Sequence, residues 1–169
     1  MKWAATAGIA VAEVHDPSPR ARELKEKGLA LLDAGKYEDA AAAFEAATDA
    51  DLNFAEAYGW ASAAFAKLGR FEDAMRYVDH ALWLDPFYAW GWNRKGLVFF
   101  EMGDYGGAIT CFRKALEADP ELKAAHENLK RVEPLVGVNA AILSFGTEKQ
   151  EAYRVEAKKP EETKGRKRR

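Results

Sequence analysis

The chain has 169 residues, 49% of them hydrophobic and 31% charged. That is enough for one domain or a short repeat array with tails, and too apolar for a chain disordered throughout. The formal charge of −2 conceals a division: residues 21–133 carry 14 Lys and Arg against 20 Asp and Glu, whereas residues 147–169 carry 9 against 5.

The single cysteine, Cys111, excludes an internal disulfide and fits a reducing compartment, so a cytoplasmic location is expected. No apolar stretch approaches the roughly 18 residues that cross a bilayer, and no membrane span is expected. The first residues, "MKWAATAGIAVA", admit two readings: a weak secretory signal with an alanine-rich centre, or a frayed extension. Residues 1–18 are expected to form a flexible N-terminal extension.

From residue 21 the chain repeats with a step of 34. Gly35, Gly69 and Gly103 share one register position; Tyr37, Phe71 and Tyr105 share another; Ala40, Ala74 and Ala108 a third. The same step links Leu24, Tyr58 and Trp92, then Leu31, Phe65 and Phe99, then Ala47, Ala81 and Ala115. Within each unit an apolar set at helical spacing precedes the glycine and a second set follows it, which reads as helix, turn, helix. Gly28, Ser62 and Gly96 on the first helices, with the three alanines on the second, are small where two helices must approach closely. Asp85-Pro86 and Asp119-Pro120 place a capping side chain ahead of a proline that stops one helix or opens the next.

These residues make the chain resemble the tetratricopeptide-repeat (TPR) family, with units at 21–54, 55–88 and 89–122. The third unit carries the signature through Trp92, Gly96, Phe99, Gly103, Tyr105, Ala108, Phe112, Ala115 and Pro120. The second departs at Ser62 and Val78, and the first has Leu52 where the closing proline stands elsewhere. The resemblance implies an all-α fold: a right-handed α-solenoid of three helix-turn-helix repeats, the TPR domain spanning 19–133. A C-terminal capping helix over 121–133 would cover the open end, with Leu122, His126, Leu129 and Val132 facing the array and Pro134 ending it. His126 is read as a substitute for the usual packing aromatic.

The resemblance further implies that the first helices line a concave surface that binds peptides or partner segments. Trp92 occupies a packing position of the signature; Trp90, two residues earlier, lies on the other side of the helix. Helical steps from Trp90 lead to Leu97 and Phe100, with Asn93 and Arg94 beside them. Trp60 comes from the second unit, and Lys25, Leu29 and Leu32 from the first. Asn128 and Arg131 on the capping helix complete the expected partner-binding set. In the chaperone-binding subfamily five clamp positions grip a C-terminal carboxylate, and these fall on residues 25, 29, 60, 90 and 94. Lys25 and Arg94 keep the expected chemistry, but Leu29 and Trp60 replace asparagines and Trp90 replaces a lysine. Three donors are lost, so the chain departs from that subfamily toward a cleft for apolar side chains.

Beyond the array, residues 134–159 contain the apolar "LVGVNAAILSFG" of 135–146, which offers itself as a cover for the groove or an extension of the solenoid, and Thr147 and Gln150 in capping-box spacing. Residues 160–169 read as a basic, disordered tail able to meet nucleic acid, an acidic membrane or an acidic protein surface, or simply to keep the chain soluble.

No phosphate loop, nucleophile elbow or paired Cys and His ligands occur, so neither catalysis, nor a cofactor, nor a metal is expected. His15, His80 and His126 lack ligand spacing, and Cys111 reads as a packed thiol. The expected function is therefore a non-catalytic adaptor for a segment of another protein. A self-associating module or homodimer whose C-terminal segment fills the groove is the first alternative, and a nucleic-acid-associated factor using the tail is the second.

Overall fold

Each helical hairpin turns on a glycine in the left-handed region: φ is +73° at Gly35, +71° at Gly69 and +80° at Gly103. A side chain at these positions would strain the backbone. One residue past each glycine an N–H reaches back to the first helix: Lys36 to the Leu31 carbonyl, Arg70 to Phe65 and Asp104 to Phe99, all at 2.9 Å. This capping pattern satisfies carbonyls that the helix end leaves open.

The structure, a computed structural model, describes residues 15–136, and these contain seven helices and no strand. Six pair into three hairpins: α1 (Pro19–Asp33) with α2 (Tyr37–Ala50), α3 (Ala55–Lys67) with α4 (Phe71–Leu84), and α5 (Ala89–Glu101) with α6 (Tyr105–Ala118). The seventh, α7, covers residues 123–136. Between hairpins the chain turns on an aspartate whose side chain accepts an N–H two residues on: Asp51 from Asn53, Asp85 from Phe87 and Asp119 from Glu121, at 3.0 to 3.1 Å. Asp51 belongs to this series although no proline follows it.

The hairpins close at the small residues. A Cβ on Gly28 would lie 2.5 Å from the Phe44 ring, and one on Gly96 2.5 Å from the Phe112 ring. In the middle unit the equivalents are Ser62 and Val78, both fully buried. The larger first partner is matched by a smaller second one, so the departures read in sequence compensate each other. The Ser62 hydroxyl has no hydrogen-bond partner, which carries the cost of an unsatisfied buried donor.

First helices approach their counterparts closely, α1 with α3 and α3 with α5, whereas α2 and α4 meet through longer side chains, the Tyr77 hydroxyl donating to Glu45 Oε1 at 2.8 Å. The first helices therefore line the inner face. The array's last apolar surface is covered by Leu122, Ala125 and Val132, which are buried against Ala115, Ala108 and Phe112.

Two expectations for α7 need correction. Its helix does not end at Pro134 but continues through residue 136. Proline has the helical φ, so Pro134 removes one backbone hydrogen bond without stopping the helix, and Val132 two residues earlier stays fully buried. His126 does not face the array: it is exposed, and Ala125 packs in its place. His126, Lys130 and Glu133 stand 34 residues after Trp92, Gly96 and Phe99, positions that meet the second helix of their own hairpin. In α7 these positions carry polar residues. The His126 ring nonetheless bonds the Pro120 carbonyl at 2.8 Å, as the Trp92 indole bonds the Pro86 carbonyl at 2.9 Å.

At the other end, residues 15–18 of the supposedly flexible extension are held to the array. His15 Nε2 lies 2.8 Å from Asp51 Oδ1, the Ser18 N–H donates to Asp51 Oδ2 at 2.8 Å, and the Ser18 hydroxyl caps α1 by accepting from the Ala21 N–H. Residues 1–14 and 137–169, including the signal-like stretch, most of the apolar segment and the basic tail, lie outside the described residues.

Packing at Gly96 gives a direct test. Replacing Gly96 by Ala adds roughly 1 kcal/mol of helix propensity but drives a methyl into the Phe112 ring, a clash at the upper end of the usual overpacking cost of about 1–3 kcal/mol. Thermal denaturation should show a net loss for Gly96→Ala, partly recovered when Phe112→Val is added. An unchanged midpoint for the single variant would contradict this packing.

Candidate partner-binding groove

α3 and α5 lie side by side on the inner face, and their facing residues recur at helical steps: Glu56, Trp60 and Ala63 on one, Trp90, Arg94 and Leu97 on the other. Two hollows open along this seam and share Arg94 as their common wall. The first, about 220 Å³, is bounded by Glu56, Trp60, Tyr88, Trp90 and Arg94. The second, about 270 Å³, lies between Ala63 and Ala66 on α3 and Leu97 and Val98 on α5, with Lys67 and Glu101 at its edge.

The geometry turns on Arg94, which is only 6% exposed. Its guanidinium carbon lies 4.0 Å from the centre of the Trp60 ring and 5.7 Å from that of Trp90. Arg94 Nη1 donates to the Tyr88 hydroxyl at 2.7 Å. Burial, the largest influence on Tyr88, raises its phenol above the usual range, against the opposing effect of Arg94. The hydroxyl thus stays protonated and accepts as a neutral oxygen. Tyr88 reaches this position between two glycines: a Cβ on Gly59 would lie 2.9 Å from its ring, and one on Gly91 2.6 Å.

Trp60 is fixed from behind by Phe44, stacked at 6.3 Å with a 17° angle between planes. Its indole N–H donates to Glu56 Oε1 at 3.3 Å. Trp90 is held more loosely and is 46% exposed. It faces the hollow, whereas Trp92 packs toward Ala115 and Leu122 with the Lys114 ammonium 4.3 Å above its ring.

The remaining residues of the expected set separate into two groups. Lys25 reaches the seam, with Nζ 3.3 Å from both Glu56 oxygens and 3.2 Å from Glu26. Leu29 and Leu32, both half-buried, pack against the core around Phe44 and Phe65, and neither lines these two hollows. Asn93 is buried, accepting from Asn128 Nδ2 at 3.0 Å, so this pair ties α5 to α7 rather than facing a ligand. Phe100 packs against Ala108, Phe112 and Val132, with the Arg131 guanidinium 4.6 Å above its ring. The helical stripe from Trp90 to Phe100 bends away because α7 covers its far end. That leaves Lys25, Trp60, Trp90, Arg94 and Leu97 gathered on the seam.

Sequence reasoning missed Glu56 and Tyr88 in the groove, and Trp83 and Phe87 on the surface, which are 75% and 82% exposed. The repeat register holds a signal for Trp83 and Phe87. Trp83 stands where the other units have Asp49 and Glu117, and Phe87 where they have Asn53 and Glu121.

Tetratricopeptide-repeat family models match residues 25–89 and 89–122. The chain is a tetratricopeptide-repeat protein. Among curated relatives this TPR chain is 31% identical over 119 residues to Hsp70-Hsp90 organizing protein 2 of Arabidopsis thaliana, covering 70% of this chain and 21% of the relative. It thus spans about a fifth of that relative's length. Two solved structures share its fold. One is the first TPR of Spaghetti (RPAP3) bound to the HSP90 peptide SRMEEVD, with a TM-score of 0.65, 25% identity, and coverage of 73% of this chain and 98% of that one. The other is the Sgt2 TPR domain from Aspergillus fumigatus, with a TM-score of 0.70, 26% identity, and coverage of 74% and 84%. Among the described residues of this TPR array no helix is long and apolar enough to cross a membrane.

Tyr88 is the support whose removal isolates the Arg94 geometry. Tyr88→Phe keeps the ring between Gly59 and Gly91 but removes a hydrogen bond to a charged group, worth about 1.5–3 kcal/mol. Urea denaturation should show a loss of that size for Tyr88→Phe. A stability equal to the parent would mean that Arg94 is held by Trp60 alone.

Proposed function

We propose that this TPR chain is a non-catalytic adaptor that binds a segment of another protein along the α3–α5 seam. The observation carrying the reading is that two indoles from adjacent repeats, Trp60 and Trp90, meet across Arg94 in one open hollow. An apolar side chain of the partner fills the space beside Trp90, and a second enters the hollow between Ala63 and Leu97. Arg94 orients the segment through whatever acceptor it presents. The hollows are side-chain sized, which suits a peptide or helical segment rather than a large cofactor.

The solved relative that holds an HSP90 peptide supports a peptide ligand on this kind of surface. The side chains at positions 29, 60 and 90 support a different ligand chemistry here. Leu29 packs against the core, Trp60 is engaged by Glu56 and Arg94, and Trp90 offers apolar area. For a short segment the expected affinity is on the order of micromolar, because ordering the segment offsets much of the burial.

The test is affinity capture with the parent protein and Trp90→Ala, followed by titration of any partner recovered. Trp90 is half-exposed, so its loss spares the fold. A partner using the groove should bind Trp90→Ala at least about tenfold more weakly, as expected for loss of an aromatic anchor. An unchanged set of partners and affinities would place the docking surface elsewhere.

A further inference from the structure

Glu56 sits one turn before Trp60 and brings a carboxylate into the groove itself. Its oxygens lie 3.3 Å from the Lys25 ammonium, one of them accepts the Trp60 indole N–H, and the side chain lines the same hollow as Trp90 and Arg94. The Lys25 side chain is 15% exposed and also pairs with Glu26, so its charge is shared between two carboxylates before any ligand arrives. In repeat register Glu56 corresponds to Arg22 and Trp90, so the acid is particular to the middle unit.

We propose that Glu56, the carboxylate lining this hollow, makes the groove select segments from within a partner chain over chain ends carrying a free carboxylate. The proposal rests on the groove being the docking surface. A terminal carboxylate entering beside Lys25 meets the like charge of Glu56 in a partly desolvated hollow, while Lys25 is already paired with two carboxylates and the Arg94 guanidinium is buried against Trp60 and the Tyr88 hydroxyl. An internal segment brings no such charge. Its backbone N–H groups find in the half-exposed Glu56 an acceptor, and its apolar side chains find the space beside Trp90 and, past Arg94, beside Ala63 and Leu97. Glu56 thus excludes one class of ligand and favours the other through the same two oxygens.

The experiment compares the full-length parent with Glu56→Gln by fluorescence anisotropy. The probe is the peptide SRMEEVD, prepared with a free C-terminal carboxylate and as the C-terminal amide. The two forms share their side chains and differ only in the terminal charge. The parent should bind the acid no better than the amide. Glu56→Gln keeps an oxygen for the Trp60 indole, removes the like charge from the hollow and leaves Lys25 with Glu26 as its one described carboxylate partner, and should shift the acid-to-amide preference toward the acid by about three- to tenfold. Adding Lys25→Gln should abolish the shift.

A parent that already prefers the acid tenfold, or a Glu56→Gln variant with an unchanged ratio, would overturn the proposal. So would a variant that binds neither form, since loss of the Glu56 charge beside Lys25 is expected to create acid binding. The two readings fail separately. A shift toward the acid together with unchanged partner capture by Trp90→Ala removes the apolar groove and keeps the role of Glu56, and the reverse pattern does the opposite.

Discussion

The stacking of Arg94 on Trp60 joins the scaffold to its site. A guanidinium so thoroughly withdrawn from water costs free energy unless its charge is met. Here the Trp60 ring meets one face and the Tyr88 hydroxyl one edge. A desolvated contact between a cation and an aromatic face contributes about 2 kcal/mol, comparable to the hydrogen bond from a charged donor. The first joins α5 to α3, and the second, between Arg94 and the residue that caps α5, fixes the guanidinium that makes it. Without that join, the two indoles would no longer bound one hollow.

Behind this contact stands the spacing of the hairpins. Glycine against phenylalanine in the first and third units, and serine against valine in the second, set how near two helices come, and the left-handed glycine sets how sharply they turn. Repeating those devices every 34 residues makes each first helix face the next, so residues distant in sequence arrive at one seam. Tyr88 shows how the loop between hairpins joins in, since its ring enters the seam only because Gly59 and Gly91 leave room.

Most of the scaffold was legible because it is periodic. Glycines, alanines and aromatics in register define helices and turns without reference to tertiary contacts, and the opposition of Trp90 to Trp92 follows from helical geometry. What resisted reading depends on partners across the seam. Asn93 looked like a ligand contact, but its amide is consumed by Asn128 from α7. Leu29 and Leu32 share the inner helix with Lys25 yet turn toward Phe44 and Phe65. Glu56 read as one more acid on a helix surface, and only the approach of Lys25 from α1 gives its charge a role. His126 carries a different lesson: a register position keeps its hydrogen bond to a proline carbonyl even where the side chain is exposed.

The central claim is that Trp60 and Trp90 share one hollow with the Arg94 side chain between them, and proton NMR addresses it without a ligand. A guanidinium 4.0 Å above an indole lies within the ring's magnetic shielding. The account predicts Arg94 side-chain protons shifted strongly upfield, with nuclear Overhauser contacts to both the Trp60 and Trp90 rings, and the shift lost in Trp60→Ala. Arg94 protons at ordinary solvent-exposed positions, with contacts to neither ring, would contradict it.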